Sequence, residues 1–200
     1  PITQDGQHAS GSKHCVSRVR ERHDAIRDEL CCFFSLLRST KEFPFMVMRE
    51  VPLDSIEGLV RRPNGESLIC DFLLQHEVND ATTLFDVRVT HPNFKKEAHR
   101  KPHAALEANW QQKRKKYERS YKLKPEQIQP LVFDTYGGWH RASMAMLFKL
   151  TKQAAHRKKK EDKELTDELW TGLRFRIAKI LVERQYAVVA HLNWRLRGLR

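Results

Sequence analysis

Residues 68–74 read LICDFLL and residues 82–90 read TTLFDVRVT, two short apolar, β-prone runs with the turn signal Asn79-Asp80 between them. Runs of this length bounded by turn residues are strands, and a brief polar link between them makes an antiparallel hairpin. Upstream, residues 43–51 (FPFMVMREV) form a similar run closed by Pro52, a strand expected to end at Glu50. The link from it to the hairpin carries Arg61-Arg62-Pro63-Asn64-Gly65, a turn signature. Downstream, His91-Pro92 closes the hairpin and the apolar period becomes helical from Glu97 to about Tyr121, through Ala104, Ala105, Leu106, Ala108, Trp110 and Tyr117. Residues 128–135 (IQPLVFDT) make a fourth strand, Gly137-Gly138 breaks it, and a helix follows from His140 to about Gln153.

Both ends of the chain are helical. From Val16 to Leu37 the apolar positions Val19, Ala25, Ile26, Leu30, Phe33, Phe34 and Leu37 recur at helical spacing, and no Pro interrupts them before Pro44. From Leu165 to Leu192 another stripe runs through Leu169, Trp170, Leu173, Ile177, Ile180, Leu181, Val188, Val189 and Leu192, with Gly172 costing it about 1 kcal/mol. The charged link Arg157 to Lys163 divides a core, residues 1–155, from a helical extension, residues 156–200. The order α, β, β, β, α, β, α, α predicts an α/β or α+β sandwich around one central sheet of about four strands.

Composition narrows the function. No run of about 18 apolar residues exists, so no membrane span is expected, and the start PITQDGQHASG has no signal-peptide pattern, which points to an intracellular chain. Cys15, Cys31, Cys32 and Cys70 include no CxxC pair, against a disulfide framework. The 200 residues carry a formal charge of +12, segregated by halves: residues 1–100 hold 14 Lys and Arg against 15 Asp and Glu, residues 101–200 hold 23 against 10. A polyanion met by the second half, nucleic acid first, is the simplest reason for that asymmetry. Walker A, GxGxxG, GxSxG and HExxH patterns do not occur.

Three acids stand on apolar strands, Glu50, Asp71 and Asp86, where a carboxylate is costly unless solvated, paired or bound to a cation. Alternation puts Leu84, Asp86, Arg88 and Thr90 on the less apolar face of their strand, with Asp71 presented beside Asp86 by the hairpin. Convergent carboxylates from adjacent strands make a hard-oxygen site of the kind Mg²⁺ prefers. The plainer alternative is a set of exposed acids paired to Arg61, Arg62 or Arg88. On the following helix Lys113-Arg114-Lys115-Lys116-Tyr117 places Lys113 and Lys116 on one side, so one lysine can approach the carboxylates while its neighbours meet phosphate or solvent.

These pieces, in this order, resemble a known family. Arg62-Pro63, the strand acid in Asp71-Phe72-Leu73-Leu74, Asp86 to Pro92 (DVRVTHP) and Lys113 to Tyr117 (KRKKY) are similar to the restriction-like, PD-(D/E)XK, endonuclease at the C-terminus of site-specific non-LTR retrotransposon reverse-transcriptase proteins. Gly6 to Ala9, Arg22 to Asp28 (RHDAIRD), Asp134 to Gly138 (DTYGG) and the helix Arg174 to Val189 resemble further segments of that family. The resemblance implies a single mixed sheet flanked by helices and metal-dependent nicking of target DNA in the nucleus, so that a reverse-transcriptase domain of the same polypeptide can prime on it. DNA, and element RNA beside it, are the implied partners. It implies Asp71 and Asp86 as ligands of Mg²⁺ or Mn²⁺, Lys113 or Lys116 as the lysine, and Glu29 or Glu50 as a further acid, with DNA met by Arg61, Arg62, Arg88, Lys113, Arg114, Lys115 and Lys116.

The chain departs from the pattern at two places. Arg88 stands where the motif lysine ordinarily follows the second acid, and Pro63 is followed by Asn64, so the first acid is either displaced to Asp71 or replaced by Asn64 in an inactive enzyme. His8, His14, Cys15 and His23 cluster near the start as possible zinc ligands without CxxC spacing. Two competing readings remain: a tyrosine recombinase using Tyr117, Tyr121, Tyr136 or Tyr186, which lacks its HxxR box, and a nucleic-acid-binding module without catalysis. A pure binder gains nothing from strand carboxylates beside its basic helix, whereas a metal nuclease needs both signs together.

Overall fold

A computed structural model describes residues 13–38, 44–90, 103–156 and 162–198. The chain runs α1 (Lys13–Arg38), β1 (Phe45–Pro52), a 3₁₀ turn (Leu53–Ser55), β2 (Ile69–His76), β3 (Thr82–Thr90), α2 (Ala104–Ser120), β4 (Ile128–Asp134), α3 (Arg141–His156) and α4 (Asp162–Gly198). This is an α/β fold with one mixed sheet of four strands in the order β1-β2-β3-β4. β1, β2 and β3 form an antiparallel meander, and β4 lies parallel to β3 after the α2 crossover. Parallel pairing requires such a crossover because consecutive parallel strands cannot be joined by a tight turn.

Apolar residues cover both faces of the sheet. On one, Phe72, Leu74, Phe85, Val87, Leu131 and Phe133 meet Ile26, Leu30, Phe33, Phe34 and Leu37 of α1, Leu147 and Leu150 of α3, and Leu173, Ile177 and Leu181 of α4. Phe72 and Phe85, cross-strand partners, stack with ring centroids 4.7 Å apart, and Phe34 tilts against both. The other cluster joins Cys70, Leu73, Leu84 and Ile128 to Tyr117 and Tyr121, with Leu53 and Leu68 beneath the connecting loop. The face carrying Leu84, Asp86 and Thr90 is therefore roofed by α2. Thr90 itself is buried and accepts a 3.1 Å bond from Asn109 of α2.

α4 is one continuous helix. Its first half is integral to the core through Leu173, Ile177 and Leu181, so the division at residue 155 marks a link between helices that share one hydrophobic cluster. No helix among the described residues is long and apolar enough to cross a membrane. Cys31 and Cys70 are buried free thiols, and burial pushes them up to about 11 and about 12.

Candidate functional site

The site lies where β2 and β3 part. Their ladder pairs Gln75 with Thr82, Leu74 with Thr83, Leu73 with Leu84 and Phe72 with Phe85, then stops. One step further along the same register Asp71 stands opposite Asp86. Beyond that point β3 keeps its pairing with β4 alone, through Thr90, and the Val87 N–H that faces β2 is satisfied by a side chain: it donates to Asp71 Oδ2 at 2.5 Å. Sheet geometry thus brings the two strand acids Asp71 and Asp86 together. Asn64 sits in the exposed turn before β2, beside the outer side of α2.

Asp86 is 4% exposed. Lys113 reaches it from α2, with Nζ 2.8 Å from both carboxylate oxygens. Only the contact to Oδ1 has hydrogen-bond geometry, so Oδ2 is buried with a cation beside it and no hydrogen bond of its own. Burial pushes the Asp86 carboxyl up to about 6 against the opposing pull of Lys113, with Asp71 adding to the rise. Asp71 is held below the ordinary carboxylate range: its partial burial is outweighed by His23, Asp86 and the Val87 amide. The two neighbouring carboxyls are thus shifted in opposite directions, Asp86 upward and Asp71 downward.

His23 completes the arrangement from α1. Its Nε2 lies 3.1 Å from Asp71 Oδ2 and 3.1 Å from the Val87 carbonyl, and its Nδ1 lies 3.1 Å from Asp24 Oδ1. Burial lowers its pKa, but the bonds and charges of Asp71 and Asp24 outweigh that and raise it. The residue stands on the same helix side as Ile26, Leu30 and Phe34, all buried against the sheet. That inner-face position of a polar residue was the legible signal for it, and sequence reasoning had assigned His23 to a zinc cluster instead. His8 lies outside the described residues, as do the side chains of His14 and Cys15.

The remaining candidates divide by role. Glu50 falls directly across from Asp71, between the pairs Arg49–Phe72 and Val51–Cys70, but its backbone turns left-handed at φ 47° and its carboxylate goes to Arg27 Nη1 at 2.6 Å. Glu29 bonds Arg176 of α4 at 2.5 Å. Neither acid joins the Asp71–Asp86 pair. Lys116 faces outward, 3.8 Å from the exposed Glu66. Arg114 lies over the Trp110 ring, 5.0 Å from its centroid, and bonds Glu118.

Arg62 is spent on structure: its Nε caps the end of α2 at the Glu118 carbonyl, 2.9 Å away. Arg61 pairs with Asp54 at 3.5 Å. Arg88 is exposed on β3. Lys115, Lys116 and Arg119 line a polar groove of about 760 Å³ with Gln111, Gln112 and Asn64.

The four tyrosines are not gathered in one place. Tyr117 and Tyr121 are buried, their hydroxyls directed to the Ile69 carbonyl and to Asp54, and burial raises both pKa values. Tyr136 and Tyr186 are exposed elsewhere, in the turn after β4 and on α4.

A cation held here would take its protein ligands from Asp71 and Asp86. The donor chemistry fits a hard divalent ion: two carboxylates from adjacent strands, one of their oxygens lacking a hydrogen bond. Among the described residues no group of three His, Cys, Asp or Glu side chains is gathered as a ready-made metal cage. Comparison of the chain with protein-family models, with curated proteins and with solved structures finds no match in any of the three.

Proposed function

We propose that this protein is a metal-dependent DNA endonuclease that nicks target DNA, in the manner its sequence resemblance to the retrotransposon enzymes implies. One observation carries the reading: aspartates on adjacent strands lie side by side where the sheet opens, and the buried one, Asp86, meets a helix-borne lysine. Burying a carboxylate at a strand fork beside a basic helix is costly for a fold that only binds polyanions. It is useful to one that must hold a divalent ion against a phosphodiester.

Asp71 and Asp86 would hold Mg²⁺ or Mn²⁺, which when bound supplies Lewis acidity and an activated water. Lys113, held beside Asp86, would put an ammonium near the charge that grows on the phosphate during attack, a role that requires position more than proton transfer. Arg88, exposed on the same strand two residues past Asp86, supplies a fixed cation for a phosphate oxygen. Lys115, Lys116 and Arg119 on the outer side of α2 extend positive charge away from the cut. DNA is thus the proposed partner, with element RNA and a reverse-transcriptase domain of the same polypeptide as further ones, and the nucleus the place of action.

Incubation of supercoiled plasmid with the purified chain and Mg²⁺ or Mn²⁺ should yield nicked circles, and EDTA should abolish them. Equal nicking by wild type and Asp86→Asn protein would overturn the assignment. A second reading, binding without cleavage, draws on the closed Lys113–Asp86 ion pair, which is complete without a metal. It requires DNA retention with intact supercoils at every metal concentration.

A further inference from the structure

We infer that His23 is a positioning residue that holds the Asp71 carboxylate in the orientation needed to take up a divalent cation. The inference rests on the nuclease reading above and adds to it a residue on α1. Where β2 and β3 part, the N–H and the carbonyl of Val87 lie past the last ladder pair with β2 and take side-chain partners. Asp71 Oδ2 takes the N–H at 2.5 Å, and His23 Nε2 lies 3.1 Å from the carbonyl oxygen. The same Nε2 is 3.1 Å from Asp71 Oδ2. A single imidazole edge therefore closes a ring of contacts with the carboxylate and the peptide, and the His23 and Val87 contacts to Asp71 both fall on Oδ2, which fixes the rotation of the whole carboxylate.

The imidazole is itself fixed from behind. Its Nδ1 meets Asp24 Oδ1 at 3.1 Å, and Asp24 is braced by Arg27 Nη1 at 3.4 Å. The helix beneath is anchored by Ile26, Leu30 and Phe34, each fully buried. The chain Arg27, Asp24, His23, Asp71 thus transmits the docking of α1 on the sheet to the angle of one carboxylate. Groups that orient metal ligands in this way typically govern affinity by 10- to 100-fold. Lys113 performs the equivalent service for Asp86 from the opposite layer, so each acid is steered from its own side of the sheet.

The test is Mn²⁺ titration of the full chain by calorimetry, with no DNA present. His23→Leu is expected to weaken Mn²⁺ binding by about 10-fold or more, and His23→Gln, which keeps an N–H near the Nε2 position, to stay within about 3-fold of wild type. Should His23→Leu fail to fold, Asp24→Asn, which loosens the imidazole while keeping it, is expected to weaken binding by a smaller factor. His23→Leu combined with Asp71→Asn should lose little more affinity than Asp71→Asn alone, because both act through one carboxylate. Wild-type affinity in His23→Leu and Asp24→Asn, or fully additive losses in the double variant, would refute the positioning role while leaving the nuclease reading intact. Absence of Mn²⁺ binding by the wild-type chain would remove the nuclease reading, and this inference with it, before any variant is compared.

Discussion

At the scale of single residues, Asp86 carries the sharpest consequence. Its folded-state pKa, about 6, stands above the ordinary value of 3.8. A carboxyl shifted this way favours the folded state when protonated, so its contribution is fully present below 3.8 and is lost as pH rises through 6. Asp86→Asn mimics the protonated form. The stability difference between variant and wild type should therefore move in the variant's favour by on the order of 1–3 kcal/mol between pH 4 and pH 7. Urea unfolding across that range measures it, and a pH-independent difference would contradict the assignment.

Lys113 predicts the converse. With Lys113→Met the buried carboxyl loses its cation, so the protonated state should persist to higher pH and stability at pH 8 should fall by about 1–3 kcal/mol. Nicking should drop by about 10²-fold or more without a matching loss of DNA affinity. Both aspartates were legible in the sequence because a charge on an apolar strand stands out. His23 left only a weaker trace, its place on the buried side of α1, because nothing local shows that it meets a carboxylate 48 residues away.

Among elements, α2 does the sorting that the sequence left open. Positions 109, 113 and 117 face the sheet, as the buried Asn109 and Tyr117 and the Lys113–Asp86 contact show. Lys115, Lys116 and Arg119 take the groove side. Spacing had placed Lys113 and Lys116 together, and only the docking angle of the helix separates them. The end of α2 packs closely on Gly65, where an added Cβ would come within 2.1 Å of the Ser120 carbonyl oxygen. Gly65→Ala should consequently cost about 1–3 kcal/mol by forcing the loop off the helix end, together with a loss of nicking as Lys113 shifts.

Gly172 offers the opposite case. In the middle of α4, its added Cβ would meet only the flexible end of Arg176 at 3.3 Å, so Gly172→Ala should stabilise by up to about 1 kcal/mol in thermal unfolding. The strand and helix order was readable throughout because each element keeps its own hydrophobic period. The roof over the Asp86 face was not, since Ala105, Asn109 and Lys113 make a weakly apolar stripe whose burial depends on the crossover joining parallel strands.

For the molecule as a whole, the charge asymmetry acquires a place. The cations of the second half that line the outer side of α2 stand one helix away from the paired aspartates, so negative backbone and divalent ion would meet from neighbouring directions. Binding of duplex DNA by Asp86→Asn protein should fall steeply with salt, with a log–log slope of about −4 to −5 if roughly five phosphates are engaged. Lys116→Ala should flatten that slope by about one, and fluorescence anisotropy between low and moderate salt reads both numbers.

The parting of β2 from β3 also gives the protein a spectroscopic voice. The Val87 amide proton is bound to a carboxylate that α1 steers and that lies within reach of Asp86, so a single backbone resonance samples all three layers at once. A short bond to an anionic acceptor moves such a proton far downfield and slows its exchange with deuterium, and anything that recruits the carboxylate elsewhere should send the signal back toward the crowd. One peak in a nitrogen-correlated spectrum would then follow ion uptake in the intact chain, with no substrate present and nothing cut.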